Sequence, residues 1–306
     1  MTTSHDDRDL RIILESVPGW HDAITDVSAL EGGITNRSLR VTTVHGSYVV
    51  RVPGAQTEML GINRRAEAAI TVAAARAGIG PMTLCELPAF GTVICEFVNA
   101  RTASAEDLRE PGVLGEVVKA VRVLHHLEPV AFAFPIFNVI RQHAHDARAR
   151  GRDHESLDDL LRTTARIEAA LDPARLRSTL CHNDLLPANV LLAPTGHVWL
   201  IDYEYAGMNY AMFDLANLSV NCGFDEHLDE IILDGAFDIV TDTVRAELAL
   251  MKIVSECREG LWALVQSAIS VEPAIDYDAY AAERLANCSR LAADPSVNDL
   301  LDVVGR

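Results

Sequence analysis

The chain has 306 residues, 49% hydrophobic and 23% charged, enough for one large domain or two lobes around a buried core. Its formal charge of -18 argues against nucleic acid or an anionic membrane surface as partner, because both favour a basic face. A cationic small molecule suits that charge, whereas an anionic nucleotide would need metal and a few local cations.

Residues 1–26 read as a short helix and lead-in, and Met1-Thr2-Thr3-Ser4-His5-Asp6-Asp7 has no basic region followed by an apolar core, so no secretory signal is expected. The next stretch contains Gly32, Gly33, Thr35 and Asn36. Taken alone the glycine pair is a turn. Glycines also let backbone N–H groups approach phosphate closely, with Thr35 and Asn36 as further donors. Residues 39–44 and 47–52 are β-rich and joined at His45-Gly46, a hairpin that ends near Arg51. The Ala-rich segment after Asn63 predicts a helix stopped at Ala77-Gly78. Within it Glu67 is the expected partner of Arg51, the alternative being Arg64 or solvent. Residues 81–87 and 91–97 predict the last two strands of a five-stranded sheet.

The helical part is expected to start near Ala105. Leu114, Val117, Val118, Val121 and Leu124 recur at the spacing of one helical face. His125 and His126 follow; vicinal residues do not share a helix face, so they read as cap or surface and not as a metal pair. His143 and His145 have no obvious partner, and residues 148–153 read as a loop. Leu157, Leu160, Leu161, Ile167 and Leu171 mark another helix, stopped at Asp172-Pro173.

The stretch His182-Asn183-Asp184-Leu185-Leu186-Pro187-Ala188-Asn189 lies between short apolar runs that read as strands. Pro194-Thr195-Gly196-His197 then turns the chain into another strand, which ends at Asp202. Folded back as a hairpin, the segment gathers two carboxylates and a carboxamide. Protein kinases use H-x-D-x-x-x-x-N followed by a strand-end Asp for phosphoryl transfer. In that pattern Asp184 accepts the hydroxyl proton, and Asn189 and Asp202 hold the metal.

The wording His-Asn-Asp-Leu-Leu-Pro-Ala-Asn-Val-Leu, then Ile-Asp-Tyr-Glu-Tyr, then the run from Asn209 to Asn217, resembles the choline/ethanolamine kinase family, which belongs with the aminoglycoside phosphotransferases. The resemblance runs from Gly32 to Tyr280. It implies an α+β, two-lobed protein-kinase-like fold. Residues 1–98 would form a nucleotide-binding lobe with a five-stranded antiparallel sheet and a helix, and residues 99–306 a larger helical lobe with the catalytic loop and acceptor site. It also implies ATP and Mg²⁺ as cofactors. The nucleotide would meet Gly32, Gly33, Thr35, Asn36, Arg51 set by Glu67, and the hinge at Glu96, Phe97 and Val98. Asp214 resembles a buried Asp that braces the catalytic loop.

The acceptor wall implied by the resemblance is Glu204, Tyr205, Glu259, Trp262, Tyr277 and Tyr280. Aromatic faces attract an ammonium group; ordinary core packing is the alternative for Trp262 and the tyrosines. Two positions depart from the family pattern. Glu259 stands where many members carry a Trp, and Asn221 where many carry a Glu. A carboxylate at 259 suits a primary ammonium, which donates hydrogen bonds, at least as well as a trimethylammonium.

Cys85, Cys95, Cys181, Cys222, Cys257 and Cys288 form no C-x-x-C pair, and most sit in apolar surroundings, which fits a reduced, cytoplasmic protein. No apolar run is long enough to span a bilayer. The expected activity is therefore ATP- and Mg²⁺-dependent phosphorylation of a small amino alcohol, choline or ethanolamine first. Rivals are a related kinase of an aminoglycoside, thiamine or a sugar; a catalytically inactive kinase-like binding protein; and a hydrolase with carboxylate-bound metal.

Overall fold

Between residues 36 and 53 apolar and polar side chains alternate, and the backbone follows as two paired strands. The computed structural model describes residues 5–30, 36–53, 61–172, 178–270 and 275–305. Gly32, Gly33 and Thr35 lie outside the described residues, and of Asn36 only the backbone is described. The chain forms two compact units, residues 1–103 with 188–206 and residues 104–187 with 207–306.

The first unit begins with α1 (His5–Glu15), β1 (Ile24–Ala29), β2 (Asn36–Thr43) and β3 (Gly46–Pro53). It continues through α2 (Arg64–Arg76), β4 (Thr83–Leu87), β5 (Thr92–Glu96) and the short β6 (Arg101–Thr102). The first five strands form one antiparallel sheet in the order β1-β2-β3-β5-β4, as expected. The hairpin between β2 and β3 is fastened by Thr43, whose hydroxyl accepts the His45 N–H at 3.0 Å and donates to the Gly46 carbonyl at 3.2 Å. Strand periodicity sends Tyr48, Val50 and Val52 to one face, where they pack with Ile13, Val17, Trp20, Val41 and Ile94. The same period turns Arg51 to the opposite face. The helix α2 starts where the Asn63 side chain accepts the N–H groups of Arg65 and Ala66, and it buries Glu67, Ile70, Ala74 and Ala75. Gly78, at φ 77°, ends it in the left-handed region.

The chain then builds most of the second unit: α3 (Ala105–Arg109), α4 (Pro111–His125), α5 (Ile136–Ala149), α6 (Leu157–Leu171) and the strand β7 (Ser178–Cys181). The five apolar residues expected on one face of α4 are all fully buried. Residues 188–206 return to the first unit as β8 (Val190–Leu192) and β9 (Val198–Leu200). A division at residue 98 leaves this hairpin with the helical part. It joins the first unit because β8 pairs with β6 and the Leu200 N–H donates to the Ile79 carbonyl at 2.7 Å.

The second unit closes with β10 (Gly207–Tyr210), paired with β7, and five helices. These are α7 (Ala211–Cys222), α8 (Glu226–Ala236), α9 (Asp242–Ile269), α10 (Tyr277–Ala292) and α11 (Val297–Val304). From Ile253 to Gln266, α9 is buried on every side, with α5, α7 and α10 packed around it. Gly260 permits the close approach of α10: a Cβ there would lie 2.7 Å from the Leu285 side chain. No helix among the described residues is long and apolar enough to cross a membrane.

Candidate active site

In the first unit, sheet and helix bring an arginine and three carboxylates together. Arg51 Nη1 donates to Glu67 Oε1 at 3.0 Å, and Nη2 to Asp202 Oδ1 at 2.5 Å and Glu204 Oε2 at 3.2 Å. The expected Arg51–Glu67 pair is thus present, and so is its alternative: Arg64 Nη1 donates to the other Glu67 oxygen at 2.7 Å and lies 3.8 Å from Glu204. Burial pulls the Arg51 pKa down, but Asp202, Glu67 and Glu204 outweigh it and hold the guanidinium above its ordinary value. Two arginines against three carboxylates leave this cluster net negative.

Asp202 takes φ 67°, an uncommon backbone state for a residue other than glycine, and it follows directly on the β8–β9 hairpin. Asn189 precedes that hairpin, and its carbonyl accepts the Ile201 N–H at 2.9 Å, so the two residues flank one compact turn of chain. Glu204 and Tyr205, expected on the acceptor wall, are both buried here in the first unit, and Glu204 belongs to the Arg51 cluster. In the segment expected to form a hinge, the Glu96 and Phe97 N–H groups donate to the Met82 and Ser47 carbonyls, and the Arg40 guanidinium lies 4.2 Å from the centre of the Phe97 ring. Val98 is half-buried, and its carbonyl accepts the Ala100 N–H.

The second unit holds Asp184 in a loop braced from below. The Asp214 carboxylate, fully buried, accepts the backbone N–H of His182 at 2.8 Å and of Asn183 at 2.7 Å. These bonds fix Asn183 at φ 64°, immediately before Asp184. The Asn183 carboxamide is itself held by Asn209 at 2.8 Å. His125 Nε2 lies 2.9 Å from the same Asp214 oxygen that serves His182. The surface or cap reading of His125 is therefore corrected: one of two vicinal histidines faces solvent, and the other turns inward to the loop's anchor. His126 is the exposed one, bonded to the Arg122 carbonyl.

On its other side the loop meets α7 and α9. Asn217 Oδ1 accepts the Leu185 N–H at 2.6 Å, and Asn221 Nδ2 donates to the Leu185 carbonyl at 3.3 Å. Asn217 Nδ2 reaches Ser255 and Glu259 Oε1, at 3.1 and 3.2 Å. Arg258, 1% exposed, donates from Nη1 to Glu259 Oε1 at 2.5 Å and to Asp184 Oδ1 at 3.4 Å. The other Glu259 oxygen accepts the Tyr280 hydroxyl at 3.3 Å. Arg284 sits 4.9 Å from the Tyr280 ring centre and donates to Asn221 and Glu256. Trp262 meets Tyr277 and Tyr280 edge to face, with centroids 5.9 and 6.5 Å apart. Trp262, Tyr277, Tyr280 and Glu259 are thus brought together, with Glu259 and Tyr280 bound to protein partners.

Burial raises the Tyr280 hydroxyl, with Glu259 adding to the rise. Burial also lifts Glu256 to about 7 against the pull of Arg284, and it pushes His143 on α5 down to about 4, with the Arg258 charge assisting. Sequence reasoning missed Arg258, although a signal was there: Glu256, Arg258 and Glu259 interrupt an otherwise apolar run in α9.

A family model described as choline/ethanolamine kinase matches residues 27–232. Protein LicA of Haemophilus influenzae is 27% identical over 263 residues, covering 83% of this chain and 76% of its own length. The crystal structure of a choline/ethanolamine kinase family protein from Mesorhizobium loti superposes with a TM-score of 0.84 at 29% identity, over 97% of this chain and 98% of that one. The structure of a LicA in complex with AMP superposes with a TM-score of 0.77 at 22% identity, over 95% of this chain and 99% of that one.

Proposed function

The chain belongs to the choline/ethanolamine kinase family and is a small-molecule kinase with the two-lobed kinase-like fold, and on that premise we propose that it transfers the terminal phosphoryl group of ATP to the hydroxyl of a small amino alcohol. The observation that carries this reading is the pair of arginine–carboxylate sites, one in each unit. The first suits phosphate and metal, and the second holds a carboxylate ready for a hydroxyl.

In the first unit Arg51, aimed by Glu67, takes phosphate oxygens with its planar fork. The main chain of Glu96, Phe97 and Val98 would meet the base, and Gly32, Gly33, Thr35 and Asn36 are the residues expected to cover the phosphates. The complex of the related LicA with AMP supports nucleotide binding. Asn189 and Asp202 would hold Mg²⁺: both offer hard oxygen donors, and the excess of carboxylate over arginine around them fits a divalent cation. When bound, Mg²⁺ supplies charge neutralisation along the phosphates.

In the second unit Asp184 orients the acceptor hydroxyl and takes its proton as the oxygen attacks in line. Asp214 and His125 keep the loop in shape, so Asp184 is positioned before substrate arrives. Trp262, Tyr277 and Tyr280 supply ring faces for an acceptor ammonium, with choline or ethanolamine the first candidates. Glu204 and Tyr205 belong to the first unit, where Glu204 helps to set Arg51. The units 1–103 with 188–206 and 104–187 with 207–306 would accordingly handle nucleotide and acceptor. All six cysteines are unpaired, in accord with the cytoplasm as the proposed location.

The test is ADP release with choline, ethanolamine, thiamine and an aminoglycoside, with and without Mg²⁺. Release stimulated by choline or ethanolamine and abolished by chelation supports the reading. Stimulation by another acceptor alone would overturn the amino-alcohol assignment, and acceptor-independent ATP hydrolysis would overturn transfer itself.

A further inference from the structure

In the second unit Arg258 is a deeply buried cation that bonds to Asp184. A guanidinium that is 1% exposed is taken out of water at a cost of several kcal/mol, and opposite charges must offset it. It lies on α9 in an otherwise apolar run that only Glu256 and Glu259 share with it as charged residues, so its burial rests on carboxylates. It donates to two carboxylates: Glu259, one residue on, at 2.5 Å, and Asp184, 74 residues away in sequence, at 3.4 Å. The Phe134 ring lies on its flank, 5.8 Å from ring centre to guanidinium carbon.

Glu259 is buried at 3% exposure, and each of its oxygens is committed: one to Arg258 and Asn217, the other to the Tyr280 hydroxyl. It therefore acts as the counter-ion of Arg258 and not as an anchor for a substrate ammonium. Asn217 ties the same ion pair to the Leu185 N–H, the residue after Asp184. The catalytic loop is gripped by Asp214 on one side and by the Arg258–Glu259 pair on the other. His143, the histidine nearest to Arg258 on α5, is held neutral by burial and by that charge, so it adds no second cation.

Resting on the assignment of Asp184 as proton acceptor, we infer that Arg258 is a positioning residue that acts through Asp184: a built-in cation that fixes the direction of the carboxylate and offsets its charge, with Glu259 as its counter-ion. The acceptor wall is then formed by Trp262 and Tyr277 with the Tyr280 ring, and its specificity rests on aromatic surface more than on a carboxylate. A cation supplied by the protein also means that Asp184 does not depend on a charged acceptor for its placement.

The test compares Arg258→Met, Arg258→Lys and the double variant Arg258→Met/Glu259→Gln, reading kcat and both KM values beside Asp184→Asn. Arg258→Met is expected to lower kcat at least about tenfold with the ATP KM within about twofold, an interaction lost in the transition state and not in nucleotide binding. Arg258→Lys, which keeps the charge, is expected to recover most of the rate. The double variant removes both buried charges and so folds even where the single one does not. It is expected to stay as slow as Arg258→Met, with the same acceptor KM, because Asp184 still lacks its cation.

A double variant restored to the parent rate would show that Arg258 and Glu259 only hold the helix together, and would overturn the inference. A double variant with an acceptor KM far above that of Arg258→Met would return Glu259 to the acceptor wall and overturn its counter-ion role. Full activity in Asp184→Asn would remove the underlying assignment instead. An inactive Asp184→Asn beside a fully active Arg258→Met would sink the inference alone.

Discussion

Each unit of the molecule places an arginine among carboxylates, and the two clusters are built differently. Around Arg51 two arginines face three carboxylates, and the Asp202 side chain keeps about a quarter of its surface exposed. Around Arg258 the charges close on themselves: Asp184 and Glu259 face Arg258 and Arg284, and Glu256, with its pKa lifted to about 7, is half neutral at physiological pH. An excess of carboxylate, with Asp202 in part open to solvent, suits a cation from outside, as phosphate chemistry with a divalent metal requires. A balanced, buried set does the opposite, fixing groups that already belong to the protein. On the proposed reading, the first cluster receives charge and the second holds one carboxylate still.

The comparison breaks most severely at the loop anchor. Asp214→Asn removes a charged acceptor from two buried N–H groups and from His125, at about 1–3 kcal/mol for each donor left poorly paired. Thermal unfolding is expected to show a loss of roughly 2–4 kcal/mol, with kcat falling in parallel. Unchanged stability would mean that the loop is held by other bonds.

Next comes the first cluster. Glu67→Gln loosens Arg51 within the first unit, so the ATP KM is expected to rise roughly five- to tenfold with the acceptor KM unchanged. A shift in the acceptor KM instead would dissolve the division of labour. Trp262→Phe tests the other half: a weaker ring face for a cation should raise the acceptor KM by about fivefold and leave the ATP KM alone. Equal effects on both constants would assign Trp262 to packing.

The smallest effect concerns pH. A carboxylate whose pKa is raised on folding stabilises fully below its unfolded value, and that stability is lost as pH rises from about 4.5 to about 7; Glu256 is such a group. His143, lowered to about 4, works the other way, stabilising above about 6.5 and losing that contribution as pH falls through 4. The two slopes oppose one another across much the same range. Glu256→Gln should therefore raise the melting temperature at pH 8 by a few degrees, change it little at pH 4.5, and expose the His143 slope in between.

Much of this was legible in the chain itself. The α4 stripe, the β2–β3 hairpin and the helix carrying Glu67 follow from periodicity and stop signals, because there one face meets the core and the other meets solvent. The Arg51–Glu67 pair and the Asp214 brace were also within reach, because the order of motifs implied them. Periodicity fails in α9, which is buried all round from Ile253 to Gln266, so that a charged residue no longer marks a solvent face and only the apolar run around Arg258 hints at its burial. His125 was hidden for a related reason: adjacency to His126 rules out a shared face but does not say which ring turns inward. Glu204 was expected against the acceptor; its bond to Arg51, set by the strand-end geometry after Asp202, was not foreseen.

The most direct test is Asp184→Asn, measured for nucleotide binding and for phosphoryl transfer on the same preparation. Asp184 belongs to the second unit and Arg51, Asn189 and Asp202 to the first, so the nucleotide Kd should stay within about twofold while turnover falls at least about a hundredfold. Retained turnover, or nucleotide affinity lost together with activity, would contradict the assignment of hydroxyl activation to the second unit and phosphate binding to the first.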